Sequence, residues 1–355
     1  MIIHKGENCN FAPLHTTIRR KAYEQTKQTL FFTTPVHIVS ANAVVGNKEA
    51  QGPLKNYFRR VKEDIKLGEK NFERAEILMF DEAVRASLNE AKPLVGDAQV
   101  LISGDLLNQM TTSSYTARNL DMPHLGVYSA CSTYTEALSL GATLLDCGHF
   151  TTVACATASH FATAERQFRY PLEYGCQRPP YAQWTVTAAG CSVLSTRGNG
   201  PLIRLATLGK VVDYGQNDLS NMGAAMAPAA MDTMCAMFTE TNSAPSDYDL
   251  ILTGDLGKLG SDILRDLLRE RGYNLGQNYI DCGSLIYSVD QNCYQGGSGA
   301  GCSASVINEY VLPQVREGKY KKVAYFATGA LMSTQSCYQG ETIPCISHGI
   351  VIEGE

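Results

Sequence analysis

Pro123-His-Leu-Gly-Val-Tyr-Ser-Ala-Cys-Ser-Thr-Tyr-Thr-Glu-Ala-Leu138 reads as a short apolar strand that turns directly into a helix, with Cys131 at the turn. A cysteine at a helix start meets the positive end of the helix dipole and unpaired backbone N–H groups, which favour the thiolate. The small neighbours Ser129, Ala130 and Ser132 let a substrate approach closely. The pattern predicts an activated thiol, and a nucleophilic thiol needs a base nearby.

Outward from this turn the chain repeats itself. Asp97-Ala-Gln-Val-Leu-Ile-Ser-Gly-Asp-Leu106 matches Asp247-Tyr-Asp-Leu-Ile-Leu-Thr-Gly-Asp-Leu256, and both read as buried strands emerging into a loop. His149–Ala158 matches Tyr320–Gly329, and Gly190–Ser195 matches His348–Glu353, in the same order. Helical spacing marks Arg74–Ala91 and Thr133–Leu145, with Ser261–Arg271 and Ala304–Gln314 as the expected counterparts. Alternating strands and helices imply an α/β protein with largely parallel sheets covered on both faces. Two packed halves, residues 31–198 and 199–355, predict an α-β-α-β-α layered arrangement with pseudo-twofold symmetry and a site between the halves.

Composition narrows the function classes. The 355 residues are 44% hydrophobic and 18% charged, enough for a substantial core. A net charge of −5 argues against a nucleic-acid partner. No apolar run is long enough to span a membrane, and no signal-peptide core opens the chain. The 12 cysteines are scattered through apolar runs without a CxxC pair, so reduced buried thiols are expected and no metal site. Residues 1–30 carry Arg19-Arg20-Lys21 and read as a loosely ordered extension or docking arm.

The turn at Cys131 resembles the nucleophile turn of the thiolase and β-ketoacyl synthase superfamily, whose partners are histidines or asparagine on second-half loops. None of the 7 histidines lies between His160 and His348. The first of those loops offers Asp255 instead. The second, Asp290-Gln-Asn-Cys-Tyr-Gln-Gly-Gly-Ser-Gly299, has Gly296, Gly297 and Ser298 but no histidine. Thr342-Ile-Pro-Cys-Ile-Ser-His-Gly349 resembles the strand loop of the second thiolase cysteine, placing Cys345 and His348 as candidates with Cys131 as a degenerate nucleophile.

One more segment stands out: Ala158-Ser-His-Phe-Ala-Thr-Ala-Glu-Arg-Gln-Phe-Arg-Tyr-Pro-Leu-Glu-Tyr-Gly-Cys-Gln177. Arg166 and Arg169 sit three apart and suit paired contacts to carboxylates, unless Glu165 and Glu173 neutralise them on the surface. Phe168, Tyr170 and Tyr174 would supply flat apolar walls.

This segment resembles the stage V sporulation protein AD family of spore-forming Firmicutes. So do Gly104–Gln109, Met222–Ala230, Leu252–Leu256, Gly296–Gly299, Ala327–Leu331 and Ile343–Ile346, over most of the chain from Phe32 to Glu353. The resemblance implies a thiolase-like fold. It also implies binding of dipicolinic acid, free or as its calcium chelate, during uptake into the developing spore. It further implies a homodimer, membrane-protein partners from the same operon, and a place on the cytoplasmic face of the forespore inner membrane. Cys131, His160, Arg166, Arg169, Tyr170, Asp255, Gly296, Gly297 and Ser298 are the candidate ligand contacts, with no cofactor. The alternative is an acyl-CoA acyltransferase using Cys131, with His160, Asp255 or His348 as base.

Overall fold

The computed structural model describes residues 27–169, 175 and 177–355. Residues 1–26 of the expected N-terminal extension, Tyr170 and Tyr174 lie outside the described residues.

The strands fall into two sets of five with the same internal order. In the first, β2 (His37–Gly46), β4 (Leu101–Asp105), β5 (His124–Gly126), β6 (Thr152–Ser159) and β8 (Ala188–Ser195) run in the order β5-β4-β6-β8-β2. In the second, β9 (Leu202–Thr207), β10 (Leu250–Thr253), β11 (Tyr279–Asp281), β13 (Lys322–Ala330) and β14 (Cys345–Glu353) run β11-β10-β13-β14-β9. The repeated sequence segments fall on equivalent strands: β4 with β10, β6 with β13, and β8 with β14. The sets meet where His37 of β2 pairs with Leu202 of β9. The short strands β1 (Thr29–Phe31) and β3 (Val61–Lys62) add to β9 and β2. Lys27, Gln28 and Thr29 donate backbone N–H groups to the Glu240 carboxylate.

The sheets are mixed rather than largely parallel. β4 runs parallel to β5 and β6, but β8 is antiparallel to β6 and to β2. The second half repeats this, with β10 parallel to β11 and β13 and β14 antiparallel to β13 and β9. Buried strands read as apolar runs whichever way they point, so alternation with helices left strand direction open.

Helices complete five layers. α1 (Phe72–Val95) starts at Asn71, whose side chain accepts from Arg74 N, and lays Ala75, Met79, Phe80, Ala83 and Val84 on β2 and β8. α2 (Thr111–Leu120) packs beside it. α3 (Thr133–Asp146) touches β4, β6 and β8 of one half and β9, β13 and β14 of the other, so it lies in the middle layer. Its Tyr134, fully buried, bonds Ser192 and Asn308 at 2.7 Å each, tying the halves through a satisfied polar network. α4 (Phe161–Phe168) follows β6. α5 (Met222–Glu240) and α6 (Gly257–Glu270) cover the outer face of the second half.

The counterpart of α1 is α5, not α6. Residues Met222–Glu240 are apolar on nearly all faces, with Pro228 inside, so they show no stripe of helical period. The expected helix Ala304–Gln314 begins earlier, as α7 (Ala300–Val306), and passes through a π turn at Ile307–Val311.

Candidate active site and anion-binding cavity

Cys131 sits in a 3₁₀ turn, Ala130–Ser132, that feeds α3. Ala130 is held at φ 51°, a left-handed conformation that costs a side-chain-bearing residue free energy. The end of β13 presses against this turn: a Cβ on Gly329 would lie 1.9 Å from Ser129 O. The thiol is thus fixed where the halves touch.

Opposite it stands Asp255, just past β10. Thr328 Oγ1 donates to Asp255 Oδ1 at 2.7 Å, Gly299 N approaches Oδ2 at 3.4 Å, and Gln183 Nε2 donates to the Asp255 carbonyl at 2.6 Å. Burial pushes the Asp255 carboxyl up to about 7, with the buried neighbour Asp281 adding to the effect and hydrogen bonds from Thr328 and Cys131 opposing it. Cys131 is held well above the ordinary thiol range, first by burial and then by the Asp255 charge. This corrects the expectation of an activated thiol. The helix start favours a thiolate, but the cost of ionising a buried sulfur beside a carboxylate outweighs it.

Cys131 borders a cavity of ≈50 Å³ whose polar wall is Arg169, Thr185 and Ser298. That is room for roughly four water molecules. Leu106, Tyr128, Phe168 and Met332 border both this cavity and a larger vestibule of ≈630 Å³, which also carries Arg166 and Glu73. Arg169 has a side chain only 10% exposed and pairs with Glu165, itself 8% exposed. Arg169 Nε is buried and has no hydrogen-bond partner among the described residues. Glu165 also holds Arg178. The pairing of Arg169 with Glu165 is therefore an interior one, shared by two guanidinium groups around one carboxylate.

The other candidates fall in different places. Arg166 and Arg169 do not act as a pair. Arg169 leaves the helix at φ −129°, ψ −91°, so it faces the inner cavity while Arg166 faces the vestibule, 5.3 Å over the Phe72 ring. His160 caps α4: Nδ1 accepts from Ala162 N and Nε2 donates to Ile65 O, so both nitrogens are engaged away from Cys131. Cys345 is buried in β14 with its thiol raised to about 12 by burial. His348 is buried on the same strand, accepts from Gly209 N at 3.2 Å, and is lowered to about 4 by burial. Neither borders the cavity. Of the glycine loop, Ser298 and Gly299 reach it. Gly296 and Gly297 instead let the loop pass tightly over Gly283, since a Cβ on Gly296 would lie 2.3 Å from Gly283 O.

Residues 297–298 form β12, which pairs in parallel with β7 (Trp184–Thr185) from the first half. Arg178, Thr185, Gln183 and Thr328 escaped notice in the sequence. Only Thr328 lay in a recognised segment, and nothing local marks a residue that works through contacts about 70 residues away, as Gln183 does with Asp255.

Among the described residues no group of three or more His, Cys, Asp or Glu is placed to hold a metal ion, and no helix is long and apolar enough to cross a membrane.

Comparison with known proteins agrees with this geometry. Residues 26–353 match the family described as Stage V sporulation protein AD. The chain belongs to that family. It is 45% identical to Stage V sporulation protein AD of Bacillus subtilis (strain 168) over 327 residues, covering 92% of this chain and 97% of the relative. Solved structures extend the fold relationship. The 3-oxoacyl-[acyl-carrier-protein] synthase III of Aquifex aeolicus VF5 superposes with a TM-score of 0.54 at 11% identity, over 90% of this chain and 99% of that one. A human mitochondrial 3-ketoacyl-CoA thiolase gives 0.56 at 12%, over 92% and 99%. OleA of Xanthomonas campestris gives 0.58 at 12%, over 91% and 98%. The fold is thiolase-like, and the family is one of sporulation proteins.

Proposed function

We propose that this family member binds dipicolinic acid, pyridine-2,6-dicarboxylate, and serves its uptake into the developing spore rather than catalysing a reaction. One observation carries the reading: Arg169, whose buried Nε has no hydrogen-bond partner among the described residues, borders a cavity whose thiol is held protonated. A buried guanidinium edge without a partner favours an anionic acceptor. The inner cavity has the size for one carboxylate, and the adjoining vestibule, walled by Tyr128 and Phe168, takes the flat ring. Calorimetry with dipicolinate on the purified chain tests this. Binding that weakens at least about tenfold in Arg169→Gln supports it; no heat at millimolar ligand overturns it.

The acyl-transfer reading keeps one point in its favour, the contact between Cys131 and Asp255. A carboxylate there raises the thiol pKa instead of lowering it, unlike an imidazole that becomes a cation. Intact-mass analysis after incubation with acyl-CoA decides: an adduct on Cys131 would establish transfer. Homodimerisation, docking to membrane partners of the same operon and peripheral attachment to the forespore inner membrane belong to the same proposal. Co-purification with those partners, with and without residues 1–30, tests the docking.

A further inference from the structure

We propose that Leu106–Met110, one wall of the vestibule, is a gate latched by Asp105, and that a proton on Glu76 keeps the latch closed. Only its role as a gate for ligand rests on the dipicolinate reading; the latch stands on the geometry. All five residues of the segment border the vestibule. Gln109 at φ 56° and Met110 at φ 51° are consecutive side-chain-bearing residues in the left-handed region, a conformation that persists only where the surroundings impose it.

Two side chains do the holding. Asp105 accepts from Leu107 N at 2.9 Å through Oδ1 and from Ser113 N at 2.7 Å through Oδ2, so it spans the strained pair. Gln167 of α4 accepts from Asn108 N at 3.1 Å and donates to Leu106 O at 2.7 Å. The amide grip does not change with pH. The carboxylate grip depends on the charge beside it.

Glu76 of α1 supplies that charge. It is 1% exposed; its Oε2 accepts from Thr163 Oγ1 at 2.7 Å, and its Oε1 has no hydrogen-bond partner among the described residues. Thr163 itself borders the vestibule. Burial first, and then the Asp105 charge, holds the Glu76 carboxyl well above the ordinary carboxylate range. Burial pushes Asp105 up too, but its backbone donors favour its ionised form, so the proton of the pair rests on Glu76.

The groups around the pair do not offset a second anion. Glu73, on the same helix, is another acid acting on Glu76. Arg166 of α4 and Lys66 lie over the Phe72 ring, Arg74 pairs with Glu69, and Arg118 of α2 lies over Tyr115. Burial lowers His124 and His160 and raises Tyr128 to about 12, so all three are neutral where Glu76 ionises. Loss of the Glu76 proton sets two carboxylates against each other in a dry site. Their repulsion loosens the hold of Asp105 on Leu107 and Ser113, and the strained segment is released.

The Met110 methyl reports the latch, because it packs on β5, where a Cβ on Gly126 would lie 2.7 Å from Met110 Cε. The full chain, with isotope-labelled methionine methyls and no ligand, is titrated by NMR from roughly pH 6 to roughly pH 9.5, and Met110→Leu identifies the resonance. One inflection above neutrality is expected. It should vanish in Glu76→Gln, which mimics the protonated carboxyl, and persist in Asp255→Asn. A flat Met110 resonance in the native chain overturns the latch, as does an inflection that survives Glu76→Gln or is lost in Asp255→Asn. The urea midpoint of Glu76→Gln at neutral pH should be no lower than that of the native chain; a lower one means the ionised carboxylate was favoured and also overturns it.

Stopped-flow displacement of dipicolinate reads the gate. A gate speeds entry and exit alike, so in Asp255→Asn the off-rate should rise about tenfold from roughly pH 7 to roughly pH 9 with affinity unchanged. The rise should be absent when Glu76→Gln is added. A Met110 inflection with a constant off-rate overturns the gating role. An intact inflection with no dipicolinate heat sinks the dipicolinate reading and upholds the latch.

Discussion

Thr328 Oγ1 donates a 2.7 Å hydrogen bond to Asp255 Oδ1, joining the end of β13 to the loop after β10 beneath the Cys131 thiol. Even with that bond, burial keeps the Asp255 carboxyl near 7. Its proton sets the charge beside the Cys131 thiol.

The pH dependence follows from that proton. Burial lifts Asp255 to about 7 in the fold from the ordinary aspartate value of 3.8. Between those values the folded chain keeps a proton that the unfolded chain has released, so its contribution to stability falls as pH rises across this window and levels off above about 7. The full span is on the order of 4 kcal/mol. Asp255→Asn should flatten this part of a denaturant-midpoint-versus-pH curve. Dipicolinate affinity in the native chain should fall about tenfold from roughly pH 6 to roughly pH 8 as the carboxylate forms beside an anionic ligand, and Asp255→Asn should abolish the fall.

Thiol reactivity gives a second check. Cys147 is exposed, whereas Cys131 is held protonated by burial and by Asp255. Iodoacetamide labelling followed by peptide mass analysis should modify Cys147 first and Cys131 slowly, with the Cys131 rate rising toward alkaline pH. Asp255→Asn should speed Cys131 labelling by roughly tenfold, because removing the neighbouring negative charge lowers the cost of the thiolate.

Arginine and histidine variants should separate. Arg169→Gln is expected to weaken dipicolinate binding by about tenfold to a hundredfold while leaving Glu165 paired with Arg178. Arg166→Gln should cost no more than about threefold, since its guanidinium lies in the vestibule over Phe72. His348→Gln should leave binding unchanged and be felt as lost stability of about 1–3 kcal/mol, read from urea unfolding.

The turn itself can be probed from both sides. Ala130→Gly releases the φ 51° strain and should be neutral or stabilising by up to about 1 kcal/mol. Gly329→Ala drives a methyl into Ser129 O and should destabilise by more than about 2 kcal/mol, with loss of ligand binding if the chain still folds. Thermal melts of the two variants should therefore shift in opposite directions or leave Ala130→Gly unmoved.

Much of the architecture was legible locally. The strand–turn–helix at residues 123–138 and the paired Gly-Asp-Leu ends of β4 and β10 are short-range patterns, and the fold keeps them. What escaped depends on longer range. α5 lacks an apolar stripe because both of its sides are covered, so no periodicity betrays it. Arg166 and Arg169 look like helix neighbours three residues apart, yet the helix ends at Phe168 and separates them. Cys131 looked activated because the helix start is visible in sequence, while the desolvation that reverses its pKa is not.

The two-rung ladder between β7 and β12 has a mechanical consequence. Trp184 N donates to Gly296 O and Val186 N to Ser298 O, both at 2.8 Å, so a segment of each half is knitted into the wall beside Cys131. Parting the halves like a clamshell would tear that seam and the cavity with it. A guest of the inner cavity would pass Phe168 and Met332, which border both it and the vestibule, so side-chain rotation rather than domain motion would open its way.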